Sequence, residues 1–200
     1  MVINISWDTD FLFILSQVFM FVAFLALIIS FTTRNRRNLL IFNLIQIIFA
    51  CLAHLLLGAW SAVAMAGVAT FRNVAFLIHE KVRGKSDKVT NFDHIILGIV
   101  LISSLILGYF TFESFLSMFS VFGTVLSSIA VYQKSIKVFR ILGVPIETLW
   151  IIYEIYIGSL IGMLMESFLL GVAIASIIFY KQMEKLVKEN NNLKIKLNTK

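Results

Sequence analysis

Apolar residues fill this chain in stretches of about twenty, each parted from the next by a short polar segment. Residues 11–31 (FLFILSQVFMFVAFLALIISF) form the first stretch. No Lys, Arg, Asp or Glu occurs from Asn38 to Phe71, a run too long for one helix, and Gly58 divides it into 39–57 and 60–78. The remaining stretches are 95–112, 114–133, 141–157 and 160–180. A bilayer's hydrocarbon core is about 30 Å thick and takes roughly 20 apolar residues to cross as a helix. Continuous runs of this length exclude strands. The pattern predicts an all-α integral membrane protein with seven transmembrane helices. Pro145 falls near the start of the sixth, where a missing N–H matters least.

Charge gives the spans a direction. Arg34, Arg36 and Arg37 lie between the first two, and Lys81, Arg83, Lys85 and Lys88 between the third and fourth. Lys134, Lys137 and Arg140 lie between the fifth and sixth, and six lysines follow the seventh. The connections on the other side carry no Lys or Arg. Sixteen of the 17 basic residues thus share one side, as the positive-inside rule requires of seven spans with the N-terminus outside and the C-terminus cytoplasmic. Arg72, inside the third span, is the exception. Removing one span would scramble this sidedness, so count and orientation support each other.

Composition fits the same picture, with 60% hydrophobic residues, 14% charged and a mean hydropathy of +0.94. Soluble domains are about one-quarter charged. The net charge of +6 follows from the cytoplasmic loops and calls for no nucleic acid; the lipid bilayer is the expected partner, and a second copy of the chain is another candidate. The lone Cys51 forms no internal disulfide and signals no metal cluster. The N-terminal MVINISWDTD has no basic segment, and no small-residue cleavage site follows the first stretch, which is therefore retained as a helix. The tail at 181–200 is polar and basic, with Leu186 and Leu193 one heptad apart. As a continuation of the seventh span it would lie on an anionic leaflet or pair with another chain. Its Asn run favours a frayed, solvated tail.

Membrane transporters often contain duplicated bundles. At an offset of 100 (134 − 34), Arg34 meets Lys134, Arg37 meets Lys137, His54 meets Glu154, Gly58 meets Gly158 and Met65 meets Met165. Span ends and breaks coincide even though identities are few. Two three-helix units result, 11–80 and 111–180, joined by a linker helix at 95–112. An even number of crossings separates equivalent helices, so the units share one orientation and form a parallel 3+1+3 repeat.

The segments LLLGAWSAVAMAGVATFRNVAFLI (55–78) and IGSLIGMLMESFLLGVAIASIIFY (157–180) resemble the paired segments of the YgjV-like bacterial inner membrane proteins. The resemblance is carried by the glycine after each second helix, Arg72 and Glu166. It implies an inner-membrane location and this architecture more than an activity. The general plan is similar to SWEET, PQ-loop and PnuC-type transporters. No Pro-Gln pair stands in the first or fifth span, so the gating of those proteins does not carry over.

Polar side chains inside the spans are the candidate chemistry. Glu147, Trp150 and Glu154 share one face of the sixth span. Asn43, Gln46, Ala50 and His54 make a similar stripe on the second, and Ser117, Ser120, Thr124, Ser127 and Ser128 one on the fifth. These stripes should face the bundle interior, because hydrocarbon penalises them. At 1.5 Å per residue, His54 and Glu154 lie about 6 Å below the outer loops and Glu166 roughly 9–12 Å. Glu147 and Arg72 lie about 16–18 Å deep, near the midplane, and match best as a pair. Glu154 and Glu166 have no evident partner beyond His54 and Arg72, which opens the way to proton-linked behaviour. Each group also has a plainer reading. His54 and Glu154 would snorkel to head groups, and Arg72 with one Glu would be a structural ion pair. The serines would be a close-packing surface, and Asn43, Gln46 and Asn73 interhelical glue. Trp150, Tyr153 and Tyr156 would anchor at the interface.

No HExxH, GxSxG, P-loop or Cys/His cluster occurs, so an enzyme is not expected, and no cofactor or metal either. The expected activity is transport of a small polar solute by alternating access between the two units, with Arg72 attracting an anionic or polar group, Glu147 balancing it and Trp150 stacking on a ring. Glu154, Glu166 and His54 would line the outer route. The alternative is a non-transporting partner subunit or sensor whose basic tail binds lipid or protein.

Overall fold

The computed structural model describes residues 10–32, 36–83, 90–133 and 136–198. Seven α-helices occur among them: α1 (Asp10–Thr32), α2 (Arg36–Leu56), α3 (Trp60–Arg83), α4 (Asn91–Phe110), α5 (Met118–Tyr132), α6 (Ile136–Ile157) and α7 (Leu160–Asn198). A single 3-10 turn, Phe115–Ser117, leads into α5. No strand occurs among the described residues. Residues 1–9 and the loop cations Arg34, Lys85, Lys88, Lys134 and Lys200 lie outside them.

Five segments are long and apolar enough to cross a membrane: Phe11–Ile29, Trp60–His79, Asn91–Phe110, Phe115–Tyr132 and Leu160–Phe179. In α2 the apolar part is the shorter Ile41–Leu56. Helix α6 has the length to cross, at 22 residues and about 1.5 Å each, but Arg140, Glu147 and Glu154 interrupt its apolar run.

Three elements depart from the sequence pattern for local reasons. Helix α4 begins before 95 because Thr90 and Asp93 form a reciprocal capping box, in which Thr90 N donates to Asp93 Oδ2 at 2.7 Å. Helix α6 begins at Ile136, which puts Pro145 well inside the helix and not near its start. The helix therefore lacks one backbone hydrogen bond in its first half. Helix α7 does not stop at 180 but continues to Asn198, so the residues expected to fray are helical. No Gly or Pro follows Gly171, so no residue there breaks the helix.

Consecutive helices pack against one another, and α3 also meets α5 while α1 meets α7. The sequence α1–α2–α3–α5–α6–α7 thereby closes into a ring of six, with α4 packed on α3 and α5. One buried cluster joins Met20, Ala23 and Leu27 of α1 to Ala50 and Ala53 of α2 and Met165 of α7. Another joins Val68 and Phe76 to Ile96 and Val100. Alanines at these contacts let backbones approach, which is how helices pack where lipid removes the hydrophobic drive. The polarity of the molecule is inverted relative to a water-soluble bundle. Ile95, Ile99, Ile102 and Leu105 of α4 are exposed, whereas Arg72, Asn73 and Glu154 are buried.

Two turns at one end of the ring, between α2 and α3 and between α6 and α7, are built alike. Gly58 and Gly158 have φ of 69° and 74°, the left-handed region where a side chain is strained. In the first turn Gly58 N donates to Leu55 O, Ala59 N to His54 O and Val63 N to Ala59 O. In the second, Gly158 N donates to Ile155 O, Ser159 N to Glu154 O and Met163 N to Ser159 O.

A Cβ at Gly58 would meet nothing within 4 Å, so only backbone strain opposes it. Gly67 is equally open but helical. Gly58→Ala should therefore destabilise by about 1–2 kcal/mol, and Gly67→Ala should stabilise by up to about 1 kcal/mol. Opposite shifts of thermal unfolding midpoints in detergent would check both.

Candidate functional site

In a helix bundle surrounded by lipid, a polar side chain must find its partner inside. The polar residues picked out from the sequence do so in two separate groups. The first is built around Arg72 of α3, which is only 5% exposed. Its Nη1 donates to Ser127 Oγ at 2.9 Å and to Ser128 Oγ at 3.0 Å, and its Nε donates to Asn73 Oδ1 at 3.2 Å. Asn73 Nδ2 in turn donates to Asn43 Oδ1 at 2.6 Å, and Asn43 Nδ2 to Gln46 Oε1 at 3.4 Å. Arg72, Asn73, Asn43 and Gln46 thus form one continuous network across α5, α3 and α2.

The serine stripe of α5 explains why this network holds. Ser127 and Ser128 each donate their hydroxyl hydrogen back to Thr124 O, at 2.9 and 2.7 Å. With that hydrogen committed, the oxygens are left as acceptors and suit a cation that can only donate. The stripe is therefore both a packing surface and the Arg72 cradle.

The expected pairing of Arg72 with Glu147 does not form. Arg72 meets neutral oxygens, and no carboxylate pairs with it among the described residues. Depth along a helix says nothing of rotation about it. Helix α5 packs against both α3 and α6 and presents its hydroxyls to Arg72. Glu147 lies instead within electrostatic reach of Glu166 of α7.

The second group contains the acids. His54 Nε2 and Glu154 Oε1 are 2.8 Å apart, with side chains 5% and 1% exposed. They are buried against each other and do not snorkel outward. His54 Nδ1 and Glu154 Oε2 are also buried and have no hydrogen-bond partner. Trp150 stacks on the His54 ring, with centroids 6.3 Å apart and planes inclined by 16°. It lies so close to Gly123 of α5 that a Cβ there would stand 2.8 Å from its Nε1. Glu154 Oε2 lies against Gly162 of α7. Four residues further along α7 stands Glu166, 7% exposed and within electrostatic reach of both Glu154 and Glu147.

Sequence reasoning missed what closes the ring at the Gly58 and Gly158 end. The first N–H groups of any helix lack internal acceptors. At the start of α7, Gly162 N donates to Ser159 Oγ at 3.2 Å and Ile161 N to Gln17 Oε1 of α1 at 2.9 Å. At the start of α3 the matching position is Ala59, which offers no side-chain acceptor. Tyr153 of α6 reaches this end of α3 instead: its hydroxyl lies 2.8 Å from Ser61 Oγ. Tyr153 is buried here and does not anchor at an interface. The signal was present in the sequence as Ala59 against Ser159, and as Gln17, the one carboxamide in the first span.

Comparison with known proteins finds one family. The family model Imp-YgjV, described as a bacterial inner membrane protein, matches residues 14–184. No curated protein and no solved structure matches the chain.

The contact at Gly162 yields a test of the second group. A Cβ at this position would overlap Glu154 Oε2 and stand 2.5 Å from Ser159 Oγ. Gly162→Ala should push the carboxylate off His54 and lower stability by roughly 3 kcal/mol, the order seen when a buried charge loses its partner. Gly171→Ala, where a Cβ meets nothing within 4 Å, should not. Thermal unfolding of both variants, with the His54 ring nitrogen shifts in NMR, would check this.

Proposed function

The chain belongs to the Imp-YgjV family of bacterial inner membrane proteins, and on that premise we propose that it transports a small polar solute carrying a negative group. The observation that carries this reading is Arg72: a buried guanidinium whose acceptors are all neutral and which no carboxylate balances among the described residues. Burying a charge without a counter-charge is costly. A solute anion arriving at Arg72 supplies what the protein withholds, and the Asn73–Asn43–Gln46 chain holds the guanidinium ready for it. Nothing in this reading requires bond chemistry, so it is not enzymatic.

The proposed architecture is a parallel repeat, α1–α3 and α5–α7 joined by α4, with the N-terminus outside and the C-terminus cytoplasmic. Several observations support it. The Gly58 and Gly158 turns share conformation and hydrogen bonds. Met65 and Met165 are both buried. The contact of α3 with α5 is matched by that of α7 with α1, as a twofold axis along the membrane normal would require. His54 and Glu154, 100 residues apart, touch each other, as equivalent positions beside such an axis would. Alternating access then moves one unit against the other around Arg72. At the outer end three contacts join the units and must open: His54 to Glu154, Ser61 to Tyr153, and Gln17 to the Ile161 backbone.

A second reading rests on α7, which runs on to Asn198 with the basic residues of 181–200. In that case the chain is a non-transporting partner or sensor that holds lipid or protein through this extension.

Uptake into proteoliposomes separates the two, using solutes first picked by a thermal-shift screen of sugars, nucleosides and small acids. Transport predicts uptake that Arg72→Ala reduces to the level of protein-free vesicles at unchanged folded yield, while deletion of 182–200 leaves it intact. Loss of folded protein on Arg72→Ala with no solute bound by the parent would support the structural role instead.

A further inference from the structure

The deepest anomaly in the bundle is chemical: titratable groups sit in sequence along one seam, and buried atoms among them lack partners. On α6 are Glu147 and Glu154, on α7 Glu166 and on α2 His54. Glu147 and Glu166 lie within electrostatic reach of each other. Two carboxylates so placed repel when both are ionised, so the pair is suited to share one proton. At the other end His54 Nε2 meets Glu154 Oε1, leaving His54 Nδ1 and Glu154 Oε2 without partners. Glu154 Oε2 lies against Gly162, one helical turn before Glu166 on the same helix. A side chain at 162 would collide with the Glu154 carboxylate. Other groups around the seam do not take its place. Tyr153 is bonded to Ser61, and Glu113, from the α4–α5 link, lies in electrostatic range of Tyr153. Arg72 is bonded to α5 hydroxyls and Asn73. Neither α5 nor the 3-10 turn places a charged side chain beside Glu154.

We infer that His54, Glu154, Glu166 and Glu147 form a proton-binding path, in which the His54–Glu154 bond is a latch at the outer end that a proton releases. This rests on the transport reading above and names the proton as its coupling ion. A proton from the outer side binds the free Nδ1 of His54, and the ring passes its Nε2 proton to Glu154 Oε1. Glu154, now neutral, no longer offers the imidazole a charged acceptor, and its carboxyl turns toward α7. There it gives the proton to the Glu166–Glu147 pair as that pair's shared proton leaves on the inner side. One proton enters and one leaves, Glu154 is again a carboxylate, and the freed imidazole turns to remake the latch.

Trp150, stacked on His54, reports on both events, because an imidazolium quenches a nearby indole and an open latch admits water. The full chain carrying Trp7→Phe and Trp60→Phe leaves Trp150 as the only indole. Its emission and acrylamide quenching are followed from about pH 5 to 9, the range in which His charge changes. The proton path predicts a sigmoidal step in emission with quenching greater on the acid side. His54→Gln should abolish the step, and Glu154→Gln should make quenching independent of pH. Infrared spectra at neutral pH should show a protonated-carboxyl band in the parent that is lost in Glu147→Gln/Glu166→Gln. A pH-independent Trp150, or a carboxyl band unchanged in the double variant, overturns the proposal. Neither measurement uses a solute, so failure here sinks the proton path alone, whereas failure of Arg72-dependent uptake sinks the transport reading.

Discussion

Hydrocarbon offers no hydrogen bonds, and this one constraint organises the polar half of the structure. Ser104, Ser120 and Thr124 bond back to carbonyls of their own helices at 2.8–2.9 Å. The open N–H groups at the start of α7 find acceptors in Ser159 and in Gln17 of α1. The apolar surface follows from the same constraint, since what cannot bond inward is turned outward. Large aliphatic side chains face the surroundings, and alanines and hydroxyls fill the seams. Without water outside, hydrogen bonds that would be incidental in a soluble protein become the joints of the bundle.

The two polar groups answer the constraint differently. Around Arg72 every named donor has an acceptor, from the serines through Asn73 and Asn43 to Gln46. Such a network is rigid, and what it leaves unmet is charge, not hydrogen bonding. Around His54 and Glu154 the reverse holds: a base faces an acid, while one atom on each partner is not bonded. A buried network with unused capacity is where a small change in protonation has a large effect, because the local dielectric amplifies both the bond made and the bond missing. The first group is suited to wait for a ligand, and the second to change state.

Much of the fold was legible from the chain. Helix existence and the breaks at Gly58 and Gly158 could be read because long apolar runs and left-handed glycines leave local marks. The beginnings of α4 and α6 and the reach of α7 were misplaced. A capping box, a tolerated proline and a missing stop signal shift helix ends without altering hydrophobicity. The candidate site was legible as a set of residues but not as pairs. Rise per residue placed Arg72 and Glu147 at one height, whereas their partners are set by helix rotation, which polar residues this sparse leave open. His54 and Glu154 could be connected because their numbering offset carried information that height did not.

That offset has an implication for how such a bond can exist. Two identical subunits meeting about a twofold axis can set only like against like at the axis, histidine to histidine or glutamate to glutamate. A base facing an acid there requires the two positions to be written separately. Here residues 54 and 154 are separate letters of one polypeptide, and the contact between them is complementary. Under the proposed parallel repeat, covalent union thus permits a chemistry between the two units that a homodimer of either could not set on its axis.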